Sequence, residues 1–178
     1  MHTAAVVTVS DRCAAGVRED KSGQLLKDML EAAGFTVVHT CIIPDERPLI
    51  GQTLTDLCDR LQVNLVATTG GTGFAPRDVT PEATRDVLER HVPGIGEAMR
   101  AASLKVTPKA ILSRGISGIR GRSLIVNLPG SPKAVKENLE AVLPAIPHGL
   151  DILLEQDGDC GEKPHLHHHG HKHDPMHK

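Results

Sequence analysis

Apolar residues along the chain fall into two kinds of run. Segments 4–9 (AAVVTV) and 123–128 (SLIVNL) are short, β-branched and nearly continuous in apolar character, the pattern of strands buried on both faces. Segments 35–43 (FTVVHTCII) and 64–68 read as two further strands. Between them the spacing becomes helical. Leu25, Leu26, Met29, Leu30 and Ala33 share one face of a helix that starts near Ser22 and is closed by Gly34. Ile50, Leu54, Leu57 and Leu61 do the same over 48–61, and Ile146, Leu150, Ile152 and Leu153 over 144–155. Pro93-Gly94 and Pro108 cut the stretch after Thr80 into helical pieces at 81–90, 94–103 and 108–114, and the glycine- and arginine-rich 115–122 predicts a turn or short hairpin. Three strand-to-helix steps within the first part of the chain predict a largely parallel sheet with helices on both faces and right-handed crossovers.

Length and composition narrow the classes. A chain of 178 residues suits one domain of about 150 residues plus a tail, large enough to bury ~68–70% of its unfolded surface. The net charge of −2 gives no basic field, and with no Trp or Tyr and only Phe35 and Phe74 as aromatics there is no stacking platform, so no nucleic-acid partner is expected. Cys13, Cys41, Cys58 and Cys160 show no C-x-x-C spacing and read as free thiols in a reducing compartment. The N-terminus lacks a basic region followed by a long apolar one, and no apolar run approaches the ~20 residues needed to cross a bilayer. These features predict a cytoplasmic protein with no membrane contact.

The candidate chemistry concentrates in 68–84, TTGGTGFAPRDVTPEAT. A strand leads into a glycine turn, a carboxylate, and a helix with Thr80 as N-cap and Pro81 at the first helical position. Gly70, Gly71 and Gly73 can take positive φ and let a ligand approach the backbone, and Thr69 and Thr72 add hydroxyls, so the loop forms a concavity suited to phosphate. Arg77 and Asp78 follow, a cation for charge neutralisation and a carboxylate for a metal ion. A plain glycine-rich surface turn ahead of a helix cap accounts equally for the bare GGTG. The second turn, Pro129-Gly130-Ser131-Pro132-Lys133, repeats the design, with Ser131 as N-cap and Lys133 beside an anion-attracting helix N-terminus. Asp11, Asp45 and Asp78 each follow a predicted strand, which puts all three on the carboxyl rim of the sheet, where ligands gather; helix capping also explains any one of them.

Taken together, SDR at 10–12 with Gly16 and DKSG at 20–23, IPDE at 43–46, the 68–84 block, PGIGEAMR at 93–100, Ser113-Arg114, and NLPGSPKAVKENL at 127–139 resemble the molybdopterin adenylyltransferases of the Mog/MoaB family. The G domain of gephyrin is similar. The resemblance runs from residue 6 to about 154 and implies a molybdenum cofactor biosynthesis fold: three α/β/α layers around a mostly parallel, mixed sheet, commonly assembled as a homotrimer. It also implies a reaction, in which the terminal phosphate of molybdopterin attacks the α-phosphate of ATP. The products are adenylylated molybdopterin, for a downstream molybdenum insertase, and pyrophosphate, with Mg²⁺ assisting. By position, Asp45 and Asp78 match the family's essential carboxylates, and Thr69, Gly70, Gly71, Thr72 and Gly73 match its nucleotide and phosphate loop. Ser10, Asp11, Ser113 and Arg114 resemble parts of the pterin and nucleotide cleft, and Pro129, Gly130 and Lys133 form the second turn.

Elementary electrostatics agrees. Two carboxylates ~4 Å apart repel by ~4 kcal/mol at an effective dielectric of 20, before any phosphate arrives. Asp45 and Asp78 therefore read as Mg²⁺ positioners, sharing the ion with substrate phosphates, more than as proton-transfer groups. From Asp157 the composition turns polar, and His165, His167, His168, His169, His171, His173 and His177 crowd together. This predicts a catalytic domain at 1–156 and a disordered tail at 157–178, whose His167, His169, His171 and His173 suit Ni²⁺, Zn²⁺, Co²⁺ or Cu²⁺; an affinity tag explains the same histidines. Two readings stand beside the enzyme: a module of the same fold that binds and delivers molybdopterin without turnover, and a metal store resting on the tail.

Overall fold

A computed structural model describes residues 1–155. Its backbone runs β1 (Thr3–Val9), α1 (Asp11–Ala14), α2 (Lys21–Ala32), β2 (Thr36–Ile43), α3 (Arg47–Thr55), β3 (Leu65–Thr69), α4 (Thr80–Val87), β4 (Arg90–His91), α5 (Pro93–Leu104), β5 (Ser117–Arg120), β6 (Ser123–Leu128), α6 (Pro132–Val142) and α7 (Ile146–Leu153). A π-helical turn, Asp56–Arg60, prolongs α3, and a 3₁₀ turn, Pro108–Leu112, follows α5. The strands form one sheet in the order β2-β1-β3-β6-β5-β4. β2, β1, β3 and β6 are parallel, while β5 runs antiparallel to β6 and β4 antiparallel to β5.

Strand alternation divides the core in two. Ala4, Val6, Leu65, Ala67, Leu124 and Val126 point to one face and pack with Leu26, Leu30, Leu139 and Leu150 of α2, α6 and α7. Ala5, Val7, Val9, Val66 and Ile125 point to the other and pack with Ile50, Leu54 and Ala83 of α3 and α4. Both faces are therefore covered, which is why the central strands are apolar at nearly every position. The result is the expected three-layer α/β/α arrangement with a mixed sheet.

The sequence expectations differ from the fold in a few places. β2, read only as a further strand, is one of the two edge strands, with Val38 and Ile42 about half exposed. The helix expected over 81–90 ends at Val87, because the chain turns extended at Leu88 and Arg90–His91 pairs with β5. Residues 11–14 make one helical turn capped by Ser10, whose Oγ accepts from Cys13 N at 3.2 Å. Thr80 is not the N-cap of α4. Val79 holds that position, and the Thr80 N–H is satisfied by Gly71 O at 3.1 Å, so the first amide of the helix needs no capping side chain. Cys13, Cys41 and Cys58 are free thiols. Among the described residues no helix is long and apolar enough to cross a membrane. Cys160, the tail boundary and His167, His169, His171 and His173 lie outside the described residues.

Candidate active site

The chain leaves β1 for one edge of the sheet and returns from β2 to add β3 on the other side of β1, so β1 and β3 flank a switch in strand order. At their carboxyl ends lies a cleft of about 660 Å³, the position where open α/β sheets bind ligands. β1 and the residue after it contribute Thr8, Val9 and Ser10; β3 and its loop contribute Thr69, Gly70 and Gly71; the turn after β6 contributes Gly130 and Ser131. Asp45 and Asp78 line the same cleft.

The glycines at its floor are dictated by space as well as torsion. Gly70 has φ +100°, and a Cβ there would lie 2.3 Å from the carbonyl oxygen of Val9. Gly71 has φ +67°, and its Cβ would meet Thr80 Oγ1 at 2.3 Å and Asp45 Oδ1 at 3.0 Å. The floor is tied to the neighbouring strand: Gly70 N donates to Leu128 O at 3.1 Å, and Thr69 Oγ1 donates to Pro129 O at 2.7 Å.

The acidic side is held by a reciprocal pair. Asp11 N donates to Asp45 Oδ2 at 2.8 Å and Asp45 N donates to Asp11 Oδ1 at 3.0 Å. The Asp11 carboxylate is also gripped by Arg77, Nε to Oδ2 at 2.6 Å and Nη2 to Oδ1 at 2.9 Å. This bond from Arg77 holds the Asp11 carboxyl below its ordinary range. Burial pushes the Asp45 carboxyl upward; the Asp11 N–H opposes the shift, and the charges of Asp11 and Asp78 add to it. Asp78 is set by its own loop, with Ala75 N donating to its Oδ2 at 3.1 Å.

Each catalytic candidate thus commits one oxygen to a backbone N–H. Asp45 Oδ1 and Asp78 Oδ1 receive no hydrogen bond from any described residue. Thr80 Oγ1, fully buried and without a partner among the described residues, and Asp45 Oδ1 both border Gly71. This all-oxygen donor set fits a hard divalent cation such as Mg²⁺. Among the described residues no three His, Cys, Asp or Glu side chains gather as a metal cage.

Of the residues expected at the site, Ser10, Asp45, Thr69, Gly70, Gly71, Asp78 and Gly130 meet at the cleft. Asp11 stands behind Asp45, and Thr72, Gly73 and Pro129 belong to the supporting backbone. Ser113 and Arg114 do not line the cleft: the Ser113 carbonyl faces Arg100, and the Arg114 guanidinium is taken up by Gly73, Asp78 and Glu82. Lys133 is exposed and lies 3.8 Å from Glu137. Sequence reasoning missed the wall built by Asp20 and Ser22. Asp20 caps α2, accepting from Thr8 Oγ1 at 2.7 Å and Gly23 N at 2.8 Å, and Ser22 Oγ donates to Gly130 O at 2.5 Å. The DKSG segment carried that signal as an Asp cap three residues before a glycine.

The comparisons with known proteins converge on this region of the chain. The family model described as "Probable molybdopterin binding domain" matches residues 5–148. The chain is 49% identical over 160 residues to the molybdopterin adenylyltransferase of Helicobacter pylori J99, covering 89% of this chain and 91% of that one. It is 48% identical over 151 residues to the Escherichia coli K12 protein of the same name, covering 82% and 77%. Among solved structures, the molybdopterin biosynthesis enzyme MoaB from Thermus thermophilus superposes with a TM-score of 0.83 at 48% identity, over 87% of this chain and 98% of that one. By its sequence and its fold alike, the chain belongs to the molybdenum cofactor biosynthesis family defined by this molybdopterin-binding domain.

Proposed function

We propose that this chain is a molybdopterin adenylyltransferase that moves AMP from ATP to the terminal phosphate of molybdopterin. The observation that carries the reading is the convergence of Asp45 and Asp78 on one cleft that Gly70 and Gly71 also line. The names of relatives about half identical over most of the chain support it. ATP as donor, Mg²⁺, a cytoplasmic homotrimer and a downstream molybdenum insertase complete the reading and rest on the motif resemblance.

In this account an oxygen of the terminal phosphate bonds to the α-phosphorus of ATP, and the bond from that phosphorus to the bridging oxygen breaks. Pyrophosphate leaves with the electron pair. Because the nucleophile is already anionic, no strong general base is required, and alignment with charge stabilisation carries the rate. Asp45 and Asp78 would hold the cation, whose contribution is to neutralise charge between the two phosphates. The Gly71 amide, on a floor fixed by the bond from Gly70 N to Leu128 O, orients the polyphosphate, and Arg77, exposed at the rim, adds positive potential while bracing Asp11.

Incubating the purified protein with molybdopterin, ATP and Mg²⁺ tests the assignment. It predicts pyrophosphate and adenylylated molybdopterin in equal amounts. Tight molybdopterin binding without pyrophosphate would identify a carrier of the same fold.

A further inference from the structure

Loop 72–78 carries Asp78 but has no helix or strand of its own. Its tip is open, with Phe74 71% exposed, and its internal ties are those between Asp78 and Ala75: Asp78 N to Ala75 O at 2.8 Å, and Ala75 N to Asp78 Oδ2 at 3.1 Å. A segment so built does not by itself fix a carboxylate to the fraction of an ångström that charge stabilisation demands.

Arg114 supplies what the loop lacks. Its backbone N–H donates to Thr72 O at 2.8 Å, its Nε to Gly73 O at 2.8 Å and its Nη2 to Asp78 O at 2.7 Å. Its Nη1 pairs with Glu82 in the first turn of α4. One planar fork therefore joins both ends of the loop to the helix that follows it. All three side-chain nitrogens are engaged, and the side chain is about two-thirds buried, which leaves the guanidinium turned away from the cleft.

We propose that Arg114 is a positioning residue for the transfer: it staples loop 72–78 closed and so fixes where the Asp78 carboxylate stands, without meeting substrate. The inference rests on the adenylyl-transfer reading for its effect on rate and on geometry for the staple. Lysine cannot replace it, because an ammonium offers no planar set of donors to two carbonyls and a carboxylate at once.

The experiment compares wild type, Arg114→Lys, Asp78→Asn and the double variant. Pyrophosphate release is measured as a function of ATP and Mg²⁺, and amide hydrogen exchange is followed across the chain without ligand. Arg114→Lys is expected to lower kcat by roughly 10–100-fold, the scale of a small misplacement of reacting groups, to raise the Mg²⁺ concentration required, and to move KM for ATP little. Exchange should accelerate in 72–79 and not in β1, β3 or β6. In the double variant the Arg114→Lys loss should vanish against the Asp78→Asn background, since a residue acting through Asp78 has nothing left to position. Losses that multiply independently, or a wild-type rate with unaltered exchange in 72–79, would overturn the proposal. Should Arg114→Lys fail to fold, Glu82→Gln loosens the same staple from its other end and is expected to give a smaller change in the same direction. If wild type itself releases no pyrophosphate, the adenylyl-transfer reading fails, and the exchange pattern still decides whether Arg114 orders the loop.

Discussion

At the scale of single residues, the site depends on places where no larger or differently charged side chain fits. Gly71→Ala forces a Cβ to 2.3 Å from Thr80 Oγ1 at a φ of +67°; it is expected to cost ~1–3 kcal/mol from torsional strain, read as a lowered denaturation midpoint, together with loss of nucleotide binding. Asp45 is under a different tension. Its carboxyl is raised in the folded chain, mainly by burial, so its stabilising contribution is complete below the unfolded value and is lost as pH rises through the folded one. The metal-free Asp45→Asn variant should therefore melt above wild type at pH 7, with the gap closing on acidification through the aspartate range. Calorimetry in chelator against pH checks this; a variant less stable than wild type at pH 7 would contradict it. The residue types at the site were legible in the sequence: paired glycines after a strand and an aspartate after each of three strands. Their partners were not, because Asp11–Arg77 and Arg114–Asp78 join positions far apart in the chain that only folding brings together.

At the scale of elements, caps and prolines carried most of the information. Ser131 does cap α6, accepting from Ala134 N at 3.2 Å with Pro132 at the helix start. Ser131→Ala should cost about 1 kcal/mol of stability by chemical denaturation, and it loosens the turn whose Gly130 carbonyl receives Ser22. Leu139→Ala, at a 1% exposed position between α6 and the sheet, should cost ~2–5 kcal/mol. Elements without a periodic or capping signature escaped: two-residue β4 is too short for alternation to register. The start of α4 was displaced by one residue because a tertiary acceptor, Gly71 O, replaced the local cap that the Thr-Pro-Glu signal implied.

At the scale of the whole molecule, the order of strands is what turns separate motifs into a site. β1, β3 and β6 are adjacent and parallel, so SDR, TTGGTG and NLPGS, distant in sequence, meet at one rim; IPDE joins them from the edge strand β2. The parallel sheet and its rim followed from the strand–helix rhythm, while the antiparallel end at β5 and β4 did not. The central claim, that Asp45 and Asp78 jointly set the charge at which phosphates meet, is tested most directly by single-turnover pyrophosphate release in Asp78→Asn at saturating ATP, molybdopterin and Mg²⁺. The account predicts a rate lower by roughly 10²-fold or more, the scale of losing one preorganised charge-stabilising group, with nucleotide still bound; a rate close to wild type would contradict it.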